Sequence, residues 1–234
     1  KEFDESYCIN IFERLLKADS TTGQYEEIQQ LLCKILDELH IAYHVTRKGG
    51  VIAEMEGDGD AICVTAHLDD IGLMVRHVNA DGTLNVCPVG GLYPFYCVTE
   101  NVRIYTRDHQ VYTGTVCRKP DSIHVTEEEL RETAPDFRKN VCVVLDKDTK
   151  SAADTAALGI DTGDMIALEP RFISSGGYLK SREREQLIYQ LSIKGRSDKR
   201  AVRKAECFCT AVKPHAGRTV RCAAAWYTVI DKRL

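Results

Sequence analysis

The sequence predicts an α/β fold interrupted by a small β-barrel-like domain, and three stretches carry that reading. Ile28, Leu31, Leu32, Ile35, Leu36 and Leu39 recur at alternating steps of three and one, the stripe of an amphipathic helix facing a core. Ala61-Ile62-Cys63-Val64-Thr65-Ala66 is a short, almost wholly apolar run, as expected of a strand covered on both faces in the middle of an α/β sheet. Between Ile71 and Ile166, short β-rich runs alternate with turns, the texture of a small barrel or sandwich inserted after that strand.

Taken in order, a first helix is expected over Ser6 to Lys17, with Ile9, Phe12, Leu15 and Leu16 on one face. Thr21-Thr22-Gly23 can cap the second helix, and Glu26 and Glu27 suit the positive end of its dipole. Strands are expected at 42–46 and 51–55, split by Lys48-Gly49-Gly50, with a further turn at 57–60. Within the inserted region, strands are expected at 73–78, 84–86, 102–106 and 111–117, with Asn79-Ala80-Asp81-Gly82 as a turn. Glu127 to Thr133 reads as a short helix. Ser151 to Leu158 reads as another, Ser151 and Asp154 forming its capping box and Gly159 its stop. Gly163-Asp164-Met165-Ile166 leads into the closing strand. The expected organisation is therefore 1–70, the first part of the α/β domain; 71–166, the insert; 167–182, the return; and 183–234, a tail of different character.

Composition agrees with a soluble globular chain: 234 residues, 28% charged, 44% hydrophobic and a mean hydropathy of -0.26. No run approaches the roughly 18 apolar residues of a membrane-spanning helix. Lys1 to Glu5 shows no secretory signal, although a starting Met is missing. The net charge of -4 conceals a split. Residues 183–234 hold 12 Lys and Arg against 5 Asp and Glu, net +7, and the remainder holds 19 against 30, net -11. Of ten cysteines, Cys63, Cys87, Cys97, Cys117 and Cys142 lie among Val, Ile and Tyr, as small buried hydrophobes do. There is no C-x-x-C; Cys207-Phe208-Cys209 is a weak C-x-C. Reduced thiols in a cytoplasmic protein are expected rather than a secreted disulfide framework.

His67-Leu68-Asp69, at the end of the apolar strand, carries the chemistry. Carboxyl ends of strands are where open α/β sheets bind ligands. A neutral imidazole suits zinc, cobalt or manganese, and a carboxylate two residues on can hold its other nitrogen and fix its tautomer. The same triplet also fits a satisfied pair with no metal.

The stretch Ala66-His67-Leu68-Asp69-Asp70-Ile71-Gly72-Leu73-Met74-Val75 resembles the A-H-x-D-E-I-G-x-M-V signature of metallopeptidase family forty-two, the glutamyl, deblocking and tetrahedral-shell aminopeptidases, some labelled endoglucanases. Other stretches resemble the family in the same order: Thr22 to Glu27, Gly49 to Ala53, Pro88-Val89-Gly90-Gly91, and Leu158-Gly159-Ile160-Asp161-Thr162-Gly163-Asp164. The resemblance covers about residues 1–182. It implies the N-terminal half of a mixed-sheet metallopeptidase domain interrupted by a small β domain. It also implies two divalent metals (zinc or cobalt) that activate a bridging water, a peptide substrate and a homododecamer. His67 matches a metal ligand and Asp69 the carboxylate that orients it. Asp70 stands where the family usually has Glu and receives no role.

The rest of the family's ligand set does not follow. Gly177 to Arg182 leads toward the L-D-D-[RK] run that supplies the bridging Asp, but Glu183-Arg184-Glu185-Gln186-Leu187 replaces it. No Glu-Glu pair appears afterwards, although a two-metal hydrolase needs several ligands and a general base. The charge switch falls at the same place. Two explanations stand: 183–234 is read out of frame or comes from a broken gene copy, or it is a divergent genuine tail. The expected function is a metal-dependent aminopeptidase, incomplete and impaired in this chain; the alternative is a non-enzymatic subunit acting as a structural or assembly partner.

Other sites rank lower. Asp69 and Asp70 are adjacent on an extended chain and point apart, which excludes a glycosidase pair flanking one bond. His77, His109 and His124 read as exposed or locally bonded, His215 as an unsupported late ligand, and Glu127-Glu128-Glu129 as a solvated helix start. Gly90-Gly91 and Gly176-Gly177 lack phosphate-loop spacing. The basic tail lacks a nucleic-acid fold and aromatic interleaving, so no nucleic-acid partner is expected, nor a membrane.

Overall fold

The computed structural model describes residues 5–55, 62–120, 124, 133–175, 178–181 and 220–224, with side chains left out at 5, 54–55, 62–65, 178–180 and 220–224. The residues separate into two compact units, one of 1–20, 25–69 and 170–234, the other of 21–24 and 70–169.

The first unit holds two helices and a mixed sheet. Helix α1 (Glu5–Lys17) buries Cys8, Ile11, Leu15 and Leu16, so its inner face is centred one position from the expected one. The true stripe runs 8, 11, 15, 18, because Cys8 and Ala18 complete a helical period that begins away from Ile9. Phe12 turns to the side and packs edge-on to Phe172, centroids 6.1 Å apart. Helix α2 (Glu26–Glu38) packs Ile28, Leu31 and Ile35 into the same core. Leu39 is exposed because it is the residue at which the helix stops, off the face its spacing suggested. The cap also differs from expectation. Tyr25 occupies the N-cap without a side-chain capping bond, and its N–H donates to Glu26 Oε2 at 3.0 Å.

Strands β1 (Tyr43–Val45) and β2 (Val51–Met55) form the antiparallel hairpin that Lys48-Gly49-Gly50 announces. Gly49 has φ +87°, and Gln29 Nε2 donates to its carbonyl at 2.5 Å. Strand β3 (Ile62–Ala66) is the apolar run. The apolar run predicts a mid-sheet place; among the described residues β3 pairs only with β12 (Val220–Ala224), the last strand in the order β1-β2-β12-β3. β12 runs antiparallel to β2 and parallel to β3, making the sheet mixed. Nothing in the local pattern announces β12. The sequence there is Val-Arg-Cys-Ala-Ala, poor in β-branched residues, so the ladder bonds of two neighbours outweigh its propensity. Strands β10 (Ile173–Ser175) and β11 (Tyr178–Lys180) form a separate antiparallel pair.

The second unit is a closed six-stranded barrel in the order β4-β5-β8-β7-β6-β9. Its strands are β4 (Gly72–Val78), β5 (Leu84–Val89), β6 (Asn101–Tyr105), β7 (Val111–Arg118), β8 (Val141–Leu145) and β9 (Met165–Leu168). Alternate residues such as Leu73, Val75, Ile104, Val116 and Val143 are fully buried in one core cluster. Helix α3 (Ala152–Ala157) starts as its capping residues predict, Ser151 Oγ accepting from Asp154 N at 3.2 Å. The buried hydroxyl of Thr155 donates to Gly82 O at 2.7 Å. The expected turn at 57–60 and nearly all of the helix expected at 127–133 lie outside the described residues.

Of the cysteines singled out from the sequence, Cys97 and Cys142 are buried and Cys87 and Cys117 half-buried, while the Cys63 side chain lies outside the description.

Candidate functional site

β3 delivers the chain to His67 one residue past its end. Leu68 then packs against the core of α1 and α2, an anchor that holds a polar residue on either side of it. His67 is 44% exposed at its side chain and Asp69 18%. The ring nitrogen Nδ1 lies 3.0 Å from the carbonyl oxygen of Asp69 and 3.3 Å from its Oδ1. Both neighbours are acceptors, so a neutral ring carries its hydrogen on Nδ1 and its lone pair on Nε2. This is the orientation a metal-binding imidazole needs, held by backbone and carboxylate of one residue.

Asp70 is engaged differently. Its Oδ1 accepts from Ile71 N at 2.7 Å. Its carbonyl accepts from Thr22 N at 3.0 Å and from Thr22 Oγ1 at 3.3 Å, beside a Thr21–Asp70 bridge. Thr22, expected near a helix cap, is a clamp on the Asp70 backbone instead. The two adjacent carboxylates thus meet different groups, the His67 ring for Asp69 and the Ile71 amide for Asp70.

The other resembling stretches serve architecture. Gly90 has φ +86° and its α-carbon faces Ile71, leaving no room for a β-carbon, which would lie 2.7 Å from Ile71 Cγ2. In the Leu158–Asp164 stretch, Asp164 Oδ2 accepts from Asp161 N at 2.8 Å. Val75 then exchanges backbone bonds with Gly163 and Asp164 at 2.8 and 2.9 Å. Asp164 is 2% exposed, and burial pushes its carboxyl pKa up against the opposing pull of the Asp161 amide and Arg107.

His77, His109 and His124 are exposed on the barrel unit. His215, Glu127 to Glu129, Cys207, Cys209, Gly176 and Gly177 lie outside the described residues. Among the described residues, no three His, Cys, Asp or Glu come together as a metal-holding group. His67 and Asp69 therefore fit one position of a metal centre, and the described donors do not complete a two-metal shell. No described helix is long and apolar enough to cross a membrane.

The Bacillus subtilis protein YhfE is 31% identical over 177 residues, covering 74% of this chain and 51% of that protein. The chain spans about half the length of the curated relatives it matches. Among solved structures, the aminopeptidase APDkam598 of the archaeon Desulfurococcus kamchatkensis superposes with a TM-score of 0.72 at 20% identity, over 94% of this chain and 55% of that one. The Pyrococcus horikoshii TET1 peptidase, described as assembling into a tetrahedron or a large octahedral shell, superposes at 0.65 and 18% identity, over 93% and 60%. These two likenesses establish the fold. The sequence profile for M42 glutamyl aminopeptidase matches residues 49–184, more than half of the chain, and with the barrel and the strand-end His-x-Asp in place the chain belongs to that peptidase family.

Proposed function

We infer that the chain serves metal-dependent removal of N-terminal residues from peptides, with His67 as one metal ligand and Asp69 as the carboxylate that orients it. The observation that carries this reading is the His67 Nδ1 contact to Asp69, which leaves Nε2 as the lone-pair nitrogen of a neutral, partly exposed ring. Zinc or cobalt suits an imidazole donor. A cytoplasmic location and self-association follow the same family likeness, the TET1 assemblies being the supporting case.

Competence is a separate question from family. The replacement of the bridging-Asp run by Glu183 to Leu187, together with the shift to a basic composition, supports an impaired peptidase that binds at most one metal weakly. It supports equally the second reading, a non-enzymatic subunit that joins intact copies. Sequencing the DNA beyond the Arg182 codon tests the out-of-frame explanation, which fails if no frame encodes L-D-D-K or L-D-D-R there.

The decisive experiment uses the purified chain with zinc or cobalt, aminoacyl-nitroanilides and a chelator. Little cleavage, with one weak metal site lost in His67→Ala, is the expected outcome. Robust chelator-sensitive cleavage overturns the impairment and leaves the peptidase reading. Metal binding unaffected by His67→Ala overturns the site. Asp69→Asn should weaken metal binding by about ten- to a hundredfold. Size-exclusion chromatography with an intact copy separates an assembly partner from an isolated chain.

A further inference from the structure

We propose that Cys117 and Cys142 form a reversible dithiol–disulfide site on the outer wall of the barrel, oxidised by a hydroperoxide. The two residues are direct register partners where β7 and β8 run antiparallel. Val116, Val141 and Val143 face the barrel core, so the two-residue period of a strand puts both cysteines on the opposite face. Asp146 N donates to Thr113 O at 2.9 Å and Lys119 N to Asn140 O at 2.6 Å, each an even number of residues along the same ladder. Cys117 and Cys142 are therefore a hydrogen-bonded pair, whose α-carbons stand about 5.5 Å apart. A disulfide spans about 4.4–6.8 Å between α-carbons. The β-carbons of a hydrogen-bonded pair lie at the wide end of the cross-strand range, about 5.5 Å apart, more than 1 Å wider than the roughly 3.8 Å a disulfide prefers. Closing the bond pinches the strands, which makes it strained and easily reduced.

The surroundings divide the roles. Cys142 is 3% exposed and Cys117 half-buried, so a reagent reaches Cys117 first. The Thr83 hydroxyl reaches the Cys142 thiol, and the Lys119 ammonium, Cys117 and Asp81 lie close enough to influence it. Burial pushes the Cys142 thiol up while Lys119 pulls it down, which keeps Cys142 the second thiol to react. Cys117 gives its proton to solvent, and the thiolate attacks the outer oxygen of the hydroperoxide. The O–O bond breaks and the alkoxide leaves, taking a proton to become the alcohol. Cys142 then attacks the Cys117 sulfenic sulfur, the S–S bond forms, and the hydroxide leaves with the Cys142 proton as water. Two thiols are oxidised by two electrons, and the peroxide is reduced to alcohol and water. A thiol reductant reverses the step by exchange.

The test treats the reduced full chain with hydrogen peroxide, alkylates the remaining thiols and maps peptides without reduction. A peptide pair joined through Cys117 and Cys142 is expected, lost on adding dithiothreitol. In Cys142→Ser, dimedone should instead label Cys117. The same oxidation in denaturant should lose its selectivity, because eight other cysteines then compete. Alkylation of both residues after peroxide, pairing of either with another cysteine, or equal selectivity in denaturant overturns the proposal. The mapping of the unmodified chain decides it even where Cys142→Ser does not fold.

Discussion

Asp81→Asn removes one charge from the tip of the β4–β5 hairpin while keeping an acceptor in the turn. Asp81 Oδ1 accepts from Thr83 N at 3.1 Å and Thr83 Oγ1 at 2.7 Å, and Oδ2 pairs with Lys119 just beyond β7. The Lys119 bond first, and Thr83 after it, pull the Asp81 carboxyl down to about 2 from 3.8. At about 1.4 kcal/mol per pKa unit, that shift is worth about 2 kcal/mol in the absence of screening. Lys119 and Asp81 are 44% and 56% exposed, however, and water screens an exposed pair. The expected loss is therefore about 0.5–1 kcal/mol. The sign follows from linkage: the folded-state value lies below the unfolded one, so this stability is complete above 3.8 and lost as pH falls through about 2. Urea unfolding of parent and variant should show a gap at neutral pH that closes at the acid end and shrinks in high salt. A gap independent of pH and salt would show that Asn disturbs the turn itself and would refute the electrostatic argument.

Asp164→Asn should show the opposite trend. Burial raises the Asp164 carboxyl, so the parent gains on the variant as pH falls through that raised value toward 3.8; a flat or reversed slope in paired urea titrations would sink the argument. Gly114→Ala places a β-carbon 2.5 Å from the backbone oxygen of Val144 on the neighbouring strand. It should cost about 3 kcal/mol in urea unfolding, and a loss under about 1 kcal/mol would mean that the barrel yields there. Thr99 holds φ +75°, a left-handed conformation costly for a β-branched residue. Thr99→Gly relieves about 1–2 kcal/mol, offset by about 0.5–1 kcal/mol of glycine entropy; thermal melts should show a small rise, and a fall would reveal a side-chain role for Thr99.

The sequence announces elements whose residues signal locally. The hairpin at Lys48 to Gly50, the turn at Asn79 to Gly82 and the cap of α3 at Ser151 all appear where turn and cap chemistry places them. What it hides are features decided by distant neighbours. β8 reads Val-Cys-Val-Val-Leu, too short and too uniformly apolar to show a period, and its identity as a strand comes from pairing with β5 and β7. The pairing of β3 depends on β12, more than 150 residues away in sequence. The His67–Asp69 contact was legible for the converse reason. Two groups on residues two apart need no third segment to meet, so spacing alone suffices to bring a ring nitrogen to a carbonyl and a carboxylate.

The same distinction separates family from activity. Of the stretches that resemble the peptidase family, most are stitches. Thr22 clamps the Asp70 carbonyl, Gly90 makes room for Ile71, and Gly163 and Asp164 exchange backbone bonds with Val75 beside the strand that closes the barrel. These contacts specify a fold, and each is local to one unit. Among the described residues, His67 and Asp69 are the pair proposed for chemistry, and a metal centre needs further donors from remote segments. Selection on the stitches acts through stability, whereas selection on the ligands acts through catalysis. A chain can therefore keep every stitch, and remain recognisable over residues 49–184, whatever becomes of its ligand set.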